Sequence, residues 1–330
     1  MGRLVSIVLV TWNSAQYLQR CLDGIRRQTH RDVELIVVDN ASIDESRDVA
    51  TIRNDSNRGF AAAVNQAIAV AKGEFVQLVN PDCFLEPEYI ANLLPVFDDA
   101  KVGSATGKLL RVSSRASARD PLIGLESRAS AGGPSLTLGM TEAMTPVDSM
   151  GIRMTRSGRH FDIDDPDVHG EVFGVSGAAA MYRMSFLKDV AIDGEVFDED
   201  FFAYREDADL AWRGRLFGWT AFCEPRAIAH HVRRVTPEVR KTLPAEINMH
   251  SVKNRFLLRM KNEGAYLALR NAPFELTRDA MVIGAALTIE RNSLPALAWV
   301  WRNRGKVLAK RRVIQSRRKV SDRELARWFR

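Results

Sequence analysis

The sequence predicts an α/β fold with a parallel sheet near the N-terminus and a mostly helical, basic extension at the C-terminal end. Short aliphatic runs recur in about the first 80 residues, and each run ends at polar residues. Helical patterns separate these runs, an alternation typical of a parallel sheet. From Ala245 onward the helical signal dominates, and Lys and Arg accumulate. We therefore expect one α/β domain over residues 1–240 and a helical extension over residues 241–330.

The first three predicted strands end at polar residues that are candidates for ligand binding. These strands cover residues 4–10, 33–38 and 75–79, and helices are predicted from Tyr17 to Ile25 and from Phe60 to Ala71. In an open α/β sheet, ligands bind beyond the carboxyl ends of the strands. The residues that follow the three strands, Thr11, Asp39 and Asp82, should therefore line one crevice.

The second part of the chain is predicted to supply further elements of the same domain. Residues 111–133 lack periodicity and are expected to form a long surface loop, whereas residues 172–182 look like another strand. A helix begins near Asp207, which shares its inward face with Leu210 and Phe217. Residues 227–229 form a last short strand that ends at His230 and His231.

Composition excludes several classes of protein. The 330 residues are 46% hydrophobic and 27% charged, which is typical of a soluble globular protein and excludes disordered and fibrous classes. The three cysteines, Cys21, Cys83 and Cys223, are far apart and form no CxxC pair, so we expect buried thiols in a reducing cytosolic compartment. No signal peptide precedes the first strand, and the apolar stretches near the C-terminus are well short of the ~20 residues of a spanning helix.

Positive charge is concentrated at the C-terminal end. The net charge is +6, but the segment from Trp301 to Arg330 holds 12 Lys and Arg against two acidic residues. The rest of the chain has a net charge of −4. Such a tail attracts nucleic acid or an anionic membrane surface. We expect residues 279–330 to lie on the cytoplasmic face of a membrane, with the basic residues from Arg302 onward toward the headgroups, or else to pack on the domain or on a second subunit of a homodimer.

The candidate residues each admit a structural and a functional interpretation. Asp39 could cap a turn, or its carboxylate could accept the imide N–H of a uracil or thymine base. The Asn80-Pro81-Asp82 segment could be a plain turn, or Asp82 could supply a hard oxygen ligand to a divalent cation. One histidine of the His230-His231 pair could be a structural hydrogen-bonding group or a second ligand of that cation.

Asp207 is a candidate functional carboxylate. Asp207 and its neighbour Glu206 lie at a predicted helix start, where acidic residues complement the helix dipole. An inward-facing carboxylate is costly to bury, however, and is usually buried for a purpose.

Seven short motifs occur in order and together resemble one enzyme family. They are Val5 to Asn13, Val37 to Ser42, Asn57-Arg58-Gly59-Phe60 with Asn65, Val79 to Asp82, Ser176-Gly177-Ala178, Glu206-Asp207 and His231. Over about residues 4–240 the chain is similar to family 2 inverting glycosyltransferases of the GT-A fold, and most similar to their bacterial rhamnosyltransferase-like branch. The resemblance implies a GT-A, Rossmann-like nucleotide-sugar-binding domain with a nucleotide-binding half over 1–110 and an acceptor and catalytic half over 140–240.

The resemblance also implies a role for each matched residue. Asp207 would be the catalytic base, and Asp82 and His231 would hold Mg²⁺ or Mn²⁺. The acceptor side would include Gly177, Ala178 and Glu206. The nucleotide sugar would be bound by Thr11, Asn13, Asp39, Arg58, Gly59, Asn65, Asn80 and Asp82. The chain departs from the family's DxD pattern at Asn80. Arg233-Arg234 replaces small residues, and neutralisation of the diphosphate is an alternative role for this pair.

The function implied is transfer of a sugar, rhamnose from dTDP-rhamnose, to a glycan or a polyprenyl-diphosphate-linked acceptor in cell-envelope polysaccharide synthesis. A UDP-sugar donor is the alternative within the same fold. A nucleotidyltransferase is the alternative from another class, although the first strand is not followed by a glycine-rich phosphate loop. A nucleic-acid-binding protein is the other, but residues 1–300 are net acidic and no nucleic-acid partner is expected.

Overall fold

The computed structural model describes residues 3–112, 146–233 and 245–330. The surface loop predicted at 111–133 lies outside these residues except for its first two positions, and so does the expected domain boundary after residue 240.

The strands of the described part are β1 Val5–Thr11, β2 Val33–Asp39, β3 Ile52–Arg53, β4 Phe75–Val79, β5 Cys83–Leu85, β6 Val102–Arg111, β7 Val147–Ser149, β8 Ile152–Met154, β9 His160–Asp162, β10 Gly170–Val172, β11 Ala180–Arg183 and β12 Thr220–His231. Its helices are α1 Ala15–Arg26, α2 Phe60–Val70, α3 Tyr89–Leu93, α4 Met184–Val190, α5 Glu206–Leu216, α6 Ala245–Asn262, α7 Ala265–Thr288, α8 Leu294–Arg317 and α9 Asp322–Leu325.

A mixed sheet forms the centre of the molecule, with the strand order β10-β12-β6-β11-β4-β1-β2-β3. The three predicted strands are β1, β2 and β4, and β1 pairs in parallel with both of the others. Thr11 lies opposite Asp39, and Leu9 lies opposite Val79. The carboxyl ends of the three strands therefore meet at one edge of the sheet, which confirms the sequence prediction.

The central strands are buried on both faces, which explains their continuous aliphatic sequences. Val8 of β1 packs into the hydrophobic cluster that includes α2, whereas Ile7 and Leu9 pack into the cluster that includes α1. Successive side chains of a strand point to opposite faces, so a strand covered on both sides needs apolar residues at every position. The three cysteines are buried and free, as predicted.

Residues 172–182 do not form the single strand that the sequence predicts. The structure has two short strands, β10 and β11, with a loop between them. Gly174 packs so closely on α5 that a Cβ atom there would lie 2.3 Å from the Cβ of Ala211. The chain leaves the sheet at this contact, and the loop carries Ser176, Gly177 and Ala178 to the edge where β1, β2 and β4 end.

The C-terminal extension is helical, as predicted, and shares one hydrophobic core with the sheet domain. Leu257 of α6, Ile314 of α8 and Phe329 belong to the same buried cluster as Trp212 of α5. The ring of Phe329 lies 4.9 Å from the ring of Trp212, centroid to centroid. Helices α6 to α9 therefore pack on the sheet domain as part of its core.

A buried network of charges joins the extension to the sheet domain. The Nζ of Lys310 lies 2.6 Å from Asp198 and 2.9 Å from Asp200, and the Nζ of Lys261 lies 3.0 Å from Asp209 and also contacts Asp198. Burial would raise the pKa of Asp198, but the two ammonium groups hold that pKa well below its usual range. The network thus favours the ionised form of Asp198 inside the protein.

Part of the basic tail therefore faces the protein. Lys310 belongs to the network, Lys306 lies 2.5 Å from Asp200, and Arg317 donates to the carbonyl of Ala191 at 2.8 Å. The expectation that the basic residues from Arg302 onward face lipid headgroups is wrong for the buried Lys310, whereas Lys306 is exposed and Arg317 is partly exposed. Among the helices of the described ranges, none has the length and apolar content that a membrane span requires.

Replacing Lys310 with alanine should destabilise the protein. The K310A variant leaves the carboxylates of Asp198 and Asp200 short of a counter-charge, and breaking a buried ion pair costs about 3–5 kcal/mol. Chemical denaturation should show this loss in the free energy of unfolding. The control is R312A, which removes an exposed charge of the same helix and should change stability by less than about 0.5 kcal/mol. Equal stability of the two variants would contradict a structural role for the network.

Candidate active site

The ends of β1 and β2 form a buried polar site around Asp39. The hydroxyl of Thr11 donates to Asp39 Oδ1 at 3.0 Å, and the N–H of Ser42 donates to Asp39 Oδ2 at 3.0 Å. Asn13 (φ 49°) accepts the N–H of Ile43 at 2.9 Å and so joins the loops that follow the two strands. An ionised carboxylate has about four acceptor positions. Asp39 therefore keeps acceptor capacity for the N–H of a base.

Asn40 positions two other predicted residues beside Asp39. Its buried amide donates to the carbonyl of Gly59 at 3.0 Å and accepts the N–H of Arg58 at 3.2 Å. The side chain of Arg58 is exposed. Asn65 lies on α2 and has a different set of contacts, because it accepts the N–H of Phe197 at 2.9 Å and donates to its carbonyl at 2.8 Å. Its amide thus ties α2 to the segment around residue 197.

Asp82 and His231 come together because β12 pairs with β5. His231 lies opposite Cys83 in this antiparallel pairing, and its Nε2 is 3.6 Å from Asp82 Oδ1. His230 points elsewhere, with its Nε2 2.8 Å from Glu86 Oε1. Of the two histidines that the sequence left open, His231 is the one beside Asp82.

Asp148 is a member of this site that sequence reasoning missed. Its Oδ2 lies 2.7 Å from His231 Nδ1, and its Oδ1 lies 3.0 Å from Arg233 Nε. Although burial opposes the charge of His231, hydrogen bonds to Asp148 and Asp82 raise its pKa to about 9. Asp148 follows a long segment without recognisable pattern, so its spacing in the sequence contains no signal of this contact.

The Asp82–His231 pair has the chemistry of a site for a diphosphate-bound cation. Within the described ranges, no group of three or more His, Cys, Asp or Glu side chains forms a metal-binding cluster. One carboxylate and one imidazole are nevertheless suitable ligands when phosphate oxygens and water supply the others. The carboxylate on Nδ1 of a ligating histidine orients the ring and directs Nε2 to the metal. Arg233 is paired with Asp148 and Asp162, and Arg234 lies outside the described residues.

Asp207 lies on the other side of the loop between β10 and β11. The N–H of Gly177 donates to Asp207 Oδ2 at 3.2 Å, and the carbonyl of Ala178 accepts the N–H of Asn80 at 2.9 Å. Asp207 is partly exposed in the first turn of α5, whereas Leu210 is buried. The predicted inward face therefore holds for Leu210 but not for Asp207, whose carboxylate is directed at the N–H of Gly177 in the loop. Its neighbours Glu206 and Ala208 are buried.

Asp207 and Glu206 form a pair of carboxyl groups with separated proton affinities. Burial raises the pKa of Asp207 to about 6, against the opposing hydrogen bonds from Gly177 and Ala208. Burial and then the charge of Asp207 raise the pKa of Glu206 further, to about 8. At neutral pH Glu206 holds a proton and Asp207 is ionised. This division of roles between neighbouring carboxyl groups is typical of acid–base sites.

Comparison with known proteins identifies the family. Residues 6–191 match the sequence profile of Glycosyl transferase family 2, which is more than half of the chain. The chain belongs to glycosyl transferase family 2. Glycosyltransferase GlyG of Streptococcus pneumoniae is 31% identical over 104 residues, which cover 28% of this chain and 35% of that protein. Matches to the first three curated relatives cover 30% to 35% of those proteins' lengths.

Solved structures confirm the GT-A fold of this family 2 chain. S. aureus TarS 1-349 covers 96% of this chain and 90% of its own, with a TM-score of 0.54 and 16% sequence identity. GalNAc-T7, solved with UDP, GalNAc and Mn²⁺, covers 78% of this chain and 47% of its own, with a TM-score of 0.57 and 13% identity. At these identities the likeness establishes the fold alone.

A strained loop leads into α5 in this family 2 chain, and the C-terminal extension holds it. Phe202, Tyr204 and Arg205 all have positive φ angles between 66° and 70°, which non-glycine residues adopt at a cost of about 1–3 kcal/mol each. Asn254 of α6 has its Nδ2 2.8 Å from the carbonyl of Ala203 and 2.7 Å from that of Tyr204. The ring of Phe202 stacks on His250 of α6 at 4.6 Å. Asn254 is a positioning residue that sequence reasoning missed.

Gly59 joins the nucleotide side of the site to this strained loop. Gly59 has φ 86°, and a Cβ atom there would lie 2.6 Å from the ring of Phe202. The N–H of Ala61 donates to the carbonyl of Phe202 at 3.2 Å. No side chain larger than hydrogen fits at this contact unless the loop moves.

The G59A variant should lose more stability than its matched control, G194A. Gly194 has φ 85° but open space where a Cβ atom would lie, so both variants bear the same backbone penalty of about 1–2 kcal/mol. Only G59A adds the contact with Phe202, which should cost about a further 1–3 kcal/mol. Chemical denaturation measures the difference. Equal destabilisation of the two variants would show that the loop yields freely at Phe202.

Proposed function

We propose that the protein is an inverting glycosyltransferase that moves a sugar from a nucleoside diphosphate to an acceptor hydroxyl. One observation carries the proposal. The loop that contains Gly177 and Ala178 is hydrogen-bonded at one end to Asn80, beside Asp82, and at the other end to Asp207. A cation ligand and an ionised carboxylate therefore flank one short loop. A single displacement needs these two groups on opposite sides of the anomeric carbon.

The proposed step transfers a proton from the acceptor to Asp207 and releases the nucleoside diphosphate. The acceptor oxygen forms a bond to the anomeric carbon while its proton passes to the carboxylate of Asp207. The bond from that carbon to the diphosphate oxygen breaks, and the electron pair leaves with the nucleoside diphosphate. The N–H of Gly177 holds the carboxylate in position through Oδ2. Glu206 is protonated and does not compete for the acceptor's proton.

Asp82 and His231 are proposed to hold a divalent cation, Mg²⁺ or Mn²⁺, with Asp148 orienting the imidazole. The cation would supply positive charge that stabilises the departing diphosphate. The GalNAc-T7 structure was solved with UDP and Mn²⁺, which supports a cation here. Asn80 in place of the first carboxylate of the family's DxD pattern leaves Asp82 and His231 as the protein ligands.

The donor is proposed to be a pyrimidine nucleotide sugar, dTDP-rhamnose, with a UDP-sugar as the alternative. The Asp39 carboxylate is held by Thr11 and Ser42 at the end of β2, where it can accept the imide N–H that thymine and uracil share. TarS 1-349 was also solved with UDP. The Asp39 contact does not distinguish the two bases, and the rhamnosyl assignment depends on the motif resemblance.

The acceptor is proposed to be a glycan or a polyprenyl-diphosphate-linked saccharide in cell-envelope polysaccharide synthesis. This places the protein on the cytoplasmic face of the membrane, bound peripherally. Large apolar side chains remain exposed on α7 and on either side of the start of α8, including Leu287, Ile289 and Trp301. Arg302 and Arg304 are exposed beside Trp301. This combination suits an anionic bilayer surface, and a homodimer contact is the alternative use of the same face.

A thermal-shift panel tests the donor and the cation together. We expect dTDP-rhamnose or a UDP-sugar, and not a GDP-sugar, to raise the melting temperature, and Mn²⁺ to increase that rise. A ligand at 100 times its dissociation constant stabilises by about 2.7 kcal/mol. The D82N variant should lose the Mn²⁺-dependent part and keep the rest. A preference for purine nucleotides, or a cation effect that persists in D82N, would contradict the assignments of Asp39 and Asp82.

Replacing Asp207 with asparagine should abolish most turnover and leave donor binding intact. Asparagine preserves the shape and can still accept the N–H of Gly177, but it cannot accept the acceptor's proton. We expect kcat to fall by ~10² to 10⁴, the usual range for a general base. Product analysis measures the rate, and donor titration checks binding. Near-normal turnover of D207N would assign the base to another group.

The pH profile provides a second test of Asp207. Because the pKa of Asp207 is raised to about 6, the fraction in the ionised, active form increases as the pH rises through 6. The acid limb of kcat/KM should therefore lie near pH 6 and become flat above it. A limb near pH 4 would indicate a solvated carboxylate instead.

A further inference from the structure

A large cationic cavity lies beside the strained loop and is not used by the proposed transfer chemistry. It has a volume of about 640 Å³ and lies between α6, α7 and the loop before α5. Four arginines line it, namely Arg159, Arg205, Arg255 and Arg278. Glu290 is the acidic side chain on its wall. Within the described part of the chain, this wall therefore holds more positive than negative charge.

Arg255 is the feature that points to a ligand. It is 5% exposed, and its NH1 atom is buried without a hydrogen-bond partner among the described residues. The Nε atom of Arg278 is buried and unpartnered in the same way. A buried N–H group of a charged side chain is strongly unfavourable when it has no hydrogen-bond acceptor. Binding of an anion would supply that acceptor.

The positive field in the cavity perturbs nearby groups. Burial and then Arg278 lower the pKa of Arg255 to about 10, although Asp279 opposes this effect. Asp279 is itself paired with Arg259. Burial, followed by Arg205 and Arg159, lowers the pKa of His160 to about 3, so that His160 adds no charge. Arg255 NH1 and Arg278 Nε nevertheless remain without a hydrogen-bond acceptor among the described residues.

The position of the cavity links it to the acceptor side of the active site. Arg205 lines the cavity and is also the residue immediately before α5, adjacent in sequence to Glu206 and two positions from Asp207. Apolar side chains of α7 and of the segment after it also line the cavity. Met281 and Ile289 line the cavity and are 54% and 84% exposed, so the apolar wall continues onto the surface.

We propose that this cavity binds the phosphate or diphosphate of a lipid-linked acceptor, whose hydrocarbon chain leaves over Met281 and Ile289. Guanidinium groups recognise phosphate oxygens through paired, charge-assisted hydrogen bonds. A saccharide attached to a diphosphate held there would extend past Arg205 toward Asp207. This inference rests on the proposed glycosyltransferase function and names the class of its acceptor.

Isothermal titration of the intact chain with soluble probes tests the proposal. The probes are farnesyl diphosphate, farnesol, inorganic pyrophosphate and dioctanoyl phosphatidylglycerol, which separate a diphosphate lipid from its chain alone, its anion alone and a membrane headgroup. We expect farnesyl diphosphate to bind most tightly and farnesol not to bind. R255Q and R278Q should each weaken its binding by about ten- to a hundredfold. The matched control R312Q, an exposed arginine outside the cavity wall, should leave the affinity unchanged.

Two further measurements keep the outcomes distinct. R255Q should unfold at the same or a higher temperature than the wild type, because the buried unpartnered charge is gone. If R255Q fails to fold, the binding measurements on R278Q, whose side chain is partly exposed, test the cavity proposal. The affinities for dTDP and UDP should be the same in the wild type and in both variants. Failure of the wild type to bind either nucleotide would overturn the donor proposal and leave the cavity proposal to its own test. Equal farnesyl diphosphate affinity in wild type, R255Q and R278Q overturns the cavity proposal. Equal or tighter binding of pyrophosphate or phosphatidylglycerol overturns its assignment to a lipid-linked acceptor.

Discussion

The buried ion network between the sheet domain and the C-terminal helices is the interaction on which the candidate active site depends. Asp209 is fully buried and accepts hydrogen bonds from Arg213, Lys261 and Asn262. Asp209 lies two residues after Asp207 on the same helix. The lysines that neutralise the network come from α6 and α8, so the extension fixes the start of α5. Without these charges, several carboxylates would be buried with no counter-ion.

The same extension then supplies the surroundings of the acceptor side. Asn254 holds the carbonyls of the strained loop, and Arg255, the next residue of α6, faces the cationic cavity. The basic residues of the C-terminal region thus have different surroundings that depend on their position. Lys310 pairs with carboxylates of the sheet domain while buried, whereas Lys306, Arg302 and Arg304 are exposed. Stability, loop geometry and surface charge come from one set of helices.

Electrostatics separate the two sides of the proposed transfer. On the donor side, Asp82 and Asp148 favour a charged His231, and a cation bound between Asp82 and His231 would replace the proton on the ring. On the acceptor side, burial raises the pKa of Asp207 and of Glu206, so that one carboxyl group is ionised and its neighbour is protonated. The loop of Gly177 and Ala178 connects these sides through two backbone hydrogen bonds. Hydrogen bonds to carboxylates therefore favour the charge on the donor side, whereas burial sets the charge states on the acceptor side.

The sequence by itself determined the central strands, the first two helices and the helical extension. It also determined that Thr11, Asp39 and Asp82 meet at one edge of the sheet. Hydrophobic periodicity and polar residues at strand ends are local signals, which is why these features could be predicted. Tertiary structure alone decided that His231 rather than His230 faces Asp82, that the strand predicted over 172–182 is broken by a loop, and that part of the basic tail turns inward. It also added Asp148, Asn254 and Arg255. These contacts join residues far apart in the chain, and their geometry depends on packing between elements, which no local pattern encodes.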